Sequence, residues 1–224
     1  MKSSKSKVQR QSALLMVGCS VLWSTGGVLI KLLPWDPLVI TGVRSLLAAG
    51  VMFAYIRFSG TKIRLNRYSA LSGLTLCLLM ITFVAANKLT TAANAIVLQY
   101  SSPAFILIFS ALYFGQKFLR ADVIAVVLTM GGIALSFFDR LTSGHLLGNC
   151  IALFSGMLVA VNFIVSARAD ADSRMSGILF AHLAAAAVGV PFAFVFPPAL
   201  SAPAVAGIAA LGIFQIGIPY VLYG

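Results

Sequence analysis

Apolar residues run along this chain in long stretches, divided by short clusters of lysine, arginine, proline and serine. About 20 apolar residues, each rising ~1.5 Å, cross a hydrocarbon core roughly 30 Å thick. The pattern therefore predicts eight membrane spans, over residues 12–33, 38–58, 68–88, 91–114, 121–138, 146–167, 178–196 and 205–223. Inside a bilayer each span must satisfy its own backbone, and the period-2 alternation of a barrel strand is missing. The predicted fold class is all-α, a polytopic membrane helical bundle. The apolar run after MKSSKSKVQR is too long for a signal-peptide core and lacks a small-x-small cleavage site, so residues 1–11 read as a basic N-terminus before a retained first span.

Charge sharpens this picture. Only 9% of residues are charged, against about 25% in soluble domains. A net charge of +11 raises nucleic acid as a partner, but the basic residues sit between apolar runs and form no stripe. The expected partners are the lipid bilayer, a small-molecule substrate and a second copy in a possible homodimer, with no nucleic acid. Twelve lysines and arginines fall before span 1 and in the 2/3, 4/5 and 6/7 loops. The opposite side receives Lys31, Lys88 and Arg140, and the loop PPALSA has no charge. The positive-inside rule then predicts a cytoplasmic N-terminus and a place in the cell membrane.

Catalytic chemistry has little material here. Glu is absent, and the five aspartates (Asp36, Asp122, Asp139, Asp170, Asp172) all lie in or beside loops. Cys19, Cys77 and Cys150 are odd in number and show no CxxC spacing, so free thiols are expected. No HExxH, Cys/His pair or metal-ligand spacing occurs, and no catalytic residue, metal or cofactor is expected.

The chain also repeats itself. AAGVMFA (48–54) in span 2 and AVGVPFA (187–193) in span 7 share five of seven positions. Trp23, Ser24 and Lys31 fall opposite Phe154, Ser155 and Asn162 at a shift of 131, and Phe83 and Val84 opposite Tyr220 and Val221 at a shift of 137. Spans 1, 2 and 3 thus pair with 6, 7 and 8, a unit of five helices whose second copy inserts upside down, as in many transporters. The predicted domains are residues 12–138, a first five-helix repeat, and 146–224, a second repeat with three of its five helices. Spans 9 and 10 would begin after about residue 228, beyond Gly224, so the chain is expected to lack the last two helices of a ten-helix inverted 5+5 repeat.

SVLWSTGGVLIK in span 1, VRSLLAAG in span 2, NKLTTAANAIVLQYSSPAFILIFSALYFGQKF across spans 3 and 4, and GGIAL in span 5 together resemble the drug/metabolite transporter superfamily, EamA type. Gly115, Gln116 and Lys117 stand where that family commonly has Gly-Glu and a base, so an amide replaces the usual acid. The resemblance implies ten helices as five plus five, both termini cytoplasmic, and transport of small metabolites, often amino acids and often outward. The expected function is a secondary transporter working by alternating access. An integral membrane enzyme on lipid-linked substrates and a non-transporting scaffold are the alternatives.

Candidate path residues follow from helical spacing. Ser20, Ser24, Gly27 and Lys31 share one face of span 1, next to Trp23, while Ser155, Asn162 and Ser166 repeat that face in span 6. Such faces serve helix packing or a wet cavity, and Lys31 and Asn162 favour the cavity. Span 4 offers Asn94, Ser101 and Ser102 before Pro103, which takes the helical partner from the Gln99 carbonyl. That carbonyl either contacts substrate or marks a kink satisfied within the bundle. Span 3 carries a milder polar face of Ser72, Thr75 and Thr82. His182 is a titratable or packed residue of span 7, Ala181, Ala185 and Gly189 read as close packing, and Tyr220 and Gln215 are second-half candidates.

Arg44 lies seven residues inside Pro37, about 10 Å deep. Left in lipid near the midplane it would cost at least about 2.5 kcal/mol, so it should face the bundle. It either joins Lys31 and Lys88 in a cationic funnel for a carboxylate or phosphate, or pairs with Asp36 or helix-end carbonyls and sets packing.

Overall fold

The computed structural model describes residues 2–138 and 145–223, with the side chains of 2–9, 11, 12, 136–138 and 223 left aside. Asp139 and Arg140, and the side chains of the N-terminal lysines Lys2, Lys5 and Lys7, thus lie outside the described set.

The described chain is a helical membrane bundle without strands. Its helices are α1 (Lys2–Ser24), α2 (Gly26–Leu32), α3 (Pro37–Ser59), α4 (Arg67–Leu89), α5 (Ala92–Gln99), α6 (Ser102–Phe114), α7 (Arg120–Phe138), α8 (Leu146–Ser166), α9 (Ala171–Gly189), α10 (Phe192–Val195), α11 (Ala202–Ala209), a π-helical stretch (Ala210–Gly217) and α12 (Ile218–Tyr223). Among the described residues seven helical stretches are long and apolar enough to cross a membrane. Helix α7 supplies an eighth helix where the fifth span was expected.

Helix ends follow local chemistry. Asp36 accepts from the Leu38 amide at 2.8 Å with Pro37 in the first turn, and Gly60 closes α3 at φ 73°, a left-handed conformation suited to glycine. Asn66 and Ser69 form a capping box on α4. Two expectations shift. Span 7 starts at Ala171, seven residues before the expected 178, because Asp170 caps the Ser173 amide and two polar turns precede the apolar run. Span 8 starts at Ala202, where Ser201 caps the Ala204 amide.

Spans 1, 4, 7 and 8 are not continuous α-helices, span 7 being interrupted at Val190 and Pro191 between α9 and α10. Span 1 breaks at Thr25, span 4 at Tyr100 and Ser101, and span 8 passes through the π stretch. Helix α4 packs against α8 and α9, α3 against α9 and the π stretch, and α12 against α1. Helices α3 and α9 cross where a Cβ on Gly42 or on Gly189 would run into the other helix's backbone. Only hydrogen fits there. One apolar cluster surrounds Met52, Leu76, Met80 and Ile178, and another surrounds Ile30, Val39, Val84 and Leu211. On α3, Arg44 lies between them.

Candidate functional site

A cavity of about 340 Å³ opens beside Arg44. Trp23 and Ser24 reach it from the end of α1, Arg44 from α3, Met80 and Phe83 from α4, Gln99, Tyr100 and Ser102 from the break in span 4, Asn162 and Phe163 from α8, Gln215 from the π stretch and Tyr220 from α12. Most contributors stand at or beside an interrupted helix. Non-helical backbone at membrane depth is tolerated where it is buried in protein or lines a cavity.

The cavity joins eight of the residues singled out from sequence: Trp23, Ser24, Arg44, Gln99, Ser102, Asn162, Gln215 and Tyr220. Arg44 is 2% exposed. Its Nη2 donates to the Met80 carbonyl at 3.5 Å, while Nε has no partner among the described residues. Asp36 is occupied in capping α3. The described ion pairs join Arg64 to Asp170 and Asp172 and do not involve Arg44. Pairing with Asp36 and capping of a helix end are therefore both set aside, since Met80 lies inside α4.

Lys31, Lys88, Asn94, Ser101 and His182 fall outside the lining. Lys31 and Lys88 lie toward the Asp36 end of the bundle, where the Lys31 ammonium donates to the Lys88 carbonyl at 3.4 Å and the Lys88 ammonium to the Leu33 carbonyl. They satisfy helix ends and do not extend a funnel onto Arg44. Asn94 is buried in the first turn of α5, where Thr91 caps its amide and its side chain donates to the Thr90 hydroxyl at 3.4 Å. Ser101 turns toward α8, where a Cβ on Gly156 would sit 2.8 Å from its hydroxyl. His182 is fully buried, stacked edge-on against Tyr220 with centroids 5.5 Å apart.

The Gln99 carbonyl freed by Pro103 also points to α8, since the same Cβ on Gly156 would lie 2.9 Å from it. The break is thus seated against another helix, and the Gln99 side chain, donating to the Ser155 hydroxyl at 3.3 Å, faces the cavity. The polar faces of spans 3 and 6 meet each other. Asn162 Nδ2 donates to the Ser72 carbonyl at 2.9 Å and to the Thr75 hydroxyl at 3.1 Å, and Ser166 meets Ser72 at 3.4 Å. Ser20 and Thr82 bond back to their own helices.

Gln215 marks what spacing alone did not convey. Its Nε2 donates to the Trp23 carbonyl at 3.4 Å, at the break in span 1, and a Cβ on Gly26 would collide with that amide. Its Oε1 is buried without a partner among the described residues. The π stretch changes the angular step and so alters which residues share a face. The aromatic wall of Trp23 and Tyr220, with centroids 5.6 Å apart, completes this side.

The two ends of the bundle are tied differently. At one, Arg64 Nε meets Asp172 at 3.2 Å, the Arg64 amide donates to Ser176 at 2.9 Å and Asn66 donates to Ser173 at 2.6 Å. At the other, Trp35 Nε1 donates to the Ala199 carbonyl at 3.0 Å.

Residues 10–138 match the EamA-like transporter family, over more than half of the chain. No curated protein matches. One solved crystal structure shares the fold at a TM-score of 0.73 and 21% identity, over 96% of this chain and 78% of that one.

Proposed function

Because this chain belongs to the EamA-like transporter family of multi-pass membrane proteins, we propose that it carries small organic solutes bearing a carboxylate, amino acids among them, across the cell membrane by alternating access. The observation that carries this reading is Arg44. It is a buried cation with no carboxylate partner among the described residues, set in the wall of a cavity. A volume of about 340 Å³ lies in the range of roughly 300 to 1,000 Å³ used by small-molecule sites. A guanidinium presents five donors in a planar fork suited to a carboxylate.

Alternating access is supported by the location of the ties. The Arg64 cluster joins the 2/3 loop to the 6/7 loop, and Trp35 joins the 1/2 loop to the 7/8 loop. Each tie links one proposed repeat, 12–138, to the other, 146–224. The packing of α4 on α8 and α9 is mirrored by that of span 8 on α1 and α3, in keeping with an inverted repeat. The excess of basic residues before span 1 and in the 2/3, 4/5 and 6/7 loops supports a cytoplasmic N-terminus and a cytoplasmic Arg64 cluster.

Counterflow into proteoliposomes tests this reading, with a panel of labelled amino acids, plain carboxylates and neutral analogues. Saturable exchange of the carboxylate-bearing members is expected. Equal exchange of neutral analogues, or no exchange of any member, contradicts it.

A further inference from the structure

His182 has no solvent exposure, and neither ring nitrogen has a hydrogen-bond partner among the described residues. Buried polar atoms are nearly always bonded, so an imidazole left this way calls for a role. It lies directly behind the cavity wall, edge-on to Tyr220, which itself lines the cavity. Arg44 lines that same cavity. The ionisable groups that adjoining elements bring to this level are Arg44 from α3, Cys77 from α4 and Tyr220 from α12, while α10 (FAFV) brings none. On its own helix, Asp172 and Arg174 stand more than two turns away.

Arg44 lines the same cavity as Tyr220, against which the His182 ring packs, and takes part in no described ion pair. Like charges at close range in a poorly polarisable interior oppose one another, and an anion seated on Arg44 reverses the sign of what the imidazole feels. We propose that His182 takes up one proton when an anionic solute docks on Arg44 and returns it when the solute leaves, so that each anion travels with a proton. This rests on the anion reading above. The proton comes from water on the side of entry, forms one N–H bond on the second ring nitrogen, and goes to water on the side of exit. A monoanion and a proton cross together with no net charge.

The chain has two histidines, and His145, bonded to the Leu89 carbonyl at 2.9 Å near the start of α8, is remote from the cavity. In a His145→Gln background, ¹⁵N-histidine NMR of the purified protein therefore reads His182 alone. Benzenesulfonate is the probe, because it remains a monoanion between about pH 5 and pH 8 and any proton taken up belongs to the protein. Saturation with benzenesulfonate should move the ring nitrogens to imidazolium positions at a pH where the unliganded ring is neutral. Affinity should rise as pH falls, approaching about tenfold per pH unit where one proton is taken up. His182→Gln should flatten that slope whatever its absolute affinity, and the NMR result stands even where that variant fails to fold. Binding that leaves the imidazole spectrum unchanged overturns the coupling and leaves the anion reading intact. No binding of benzenesulfonate removes the anion reading and the coupling with it.

Discussion

Arg44 donates through Nη2 to the main-chain carbonyl of Met80 at 3.5 Å, the long limit of a hydrogen bond, across the gap between α3 and α4. One long bond to a neutral acceptor occupies little of a guanidinium's capacity, and charge-assisted bidentate pairing to a carboxylate is stronger. Arg44→Lys keeps the charge and loses the fork. It should assemble normally and bind carboxylate solutes about tenfold more weakly, a difference readable from half-saturation in counterflow.

The crossing of α3 and α9 is set by Gly42 and Gly189, whose α-carbons occupy one another's side-chain space. Gly42→Ala should destabilise the bundle by about 1 to 3 kcal/mol, because backbone cannot yield as a side-chain tip can. A lowered Tm in detergent checks this. Gly50 has open space around it, and Gly50→Ala should leave Tm nearly unchanged.

At the Arg64 end, the Ser173 hydroxyl and then its amide hold the exposed Asp170 carboxyl below the usual carboxylate range, and Arg64 adds to the effect. A carboxyl with a lower pKa folded than unfolded contributes stability above its unfolded value of about 3.9, and that contribution is lost as pH falls through the folded value. Tm should therefore fall on acidification below about pH 4. Asp170→Asn, neutral at every pH, should flatten that limb. The pair of exposed Arg64 with half-buried Asp172, at the edge of the bundle, adds little to stability by itself. Arg64→Ala should instead raise labelling of a cysteine at Ser176 with little change in Tm.

Gln215 offers a buried acceptor, Oε1, beside the cavity while its amide nitrogen holds the Trp23 carbonyl. Gln215→Leu removes both groups at similar volume. Counterflow of amino acids should weaken more than counterflow of carboxylates lacking an ammonium, because an N–H donor on the solute loses its acceptor.

Much of this architecture was legible in the sequence, because a bilayer leaves few options for a 20-residue apolar run. Arg44 could be assigned to the interior from cost alone, and an interruption of span 4 just before Pro103 from the missing amide of that proline. The division of polar residues between site and seam was not legible. Ser24 and Lys31 share a face in a continuous helix, but the break at Thr25 separates them and Lys31 goes to a helix end. Ser101 and Ser102 are adjacent, yet one meets α8 and the other the cavity. Met80, Phe83, Tyr100 and Phe163 line the cavity with no polar signal to distinguish them from lipid-facing or core residues. The π stretch that sets Gln215 against Trp23 depends on tertiary packing, to which helical spacing is blind.

The most direct measurement compares a carboxylate solute with its carboxamide in proteoliposomes carrying either the native protein or Arg44→Ala, with assembled protein quantified in each. The native carrier should prefer the carboxylate by about tenfold to a hundredfold, and Arg44→Ala should erase that preference while remaining assembled. A well-assembled Arg44→Ala carrier that still prefers the carboxylate to the same degree would contradict the assignment of Arg44 to solute recognition.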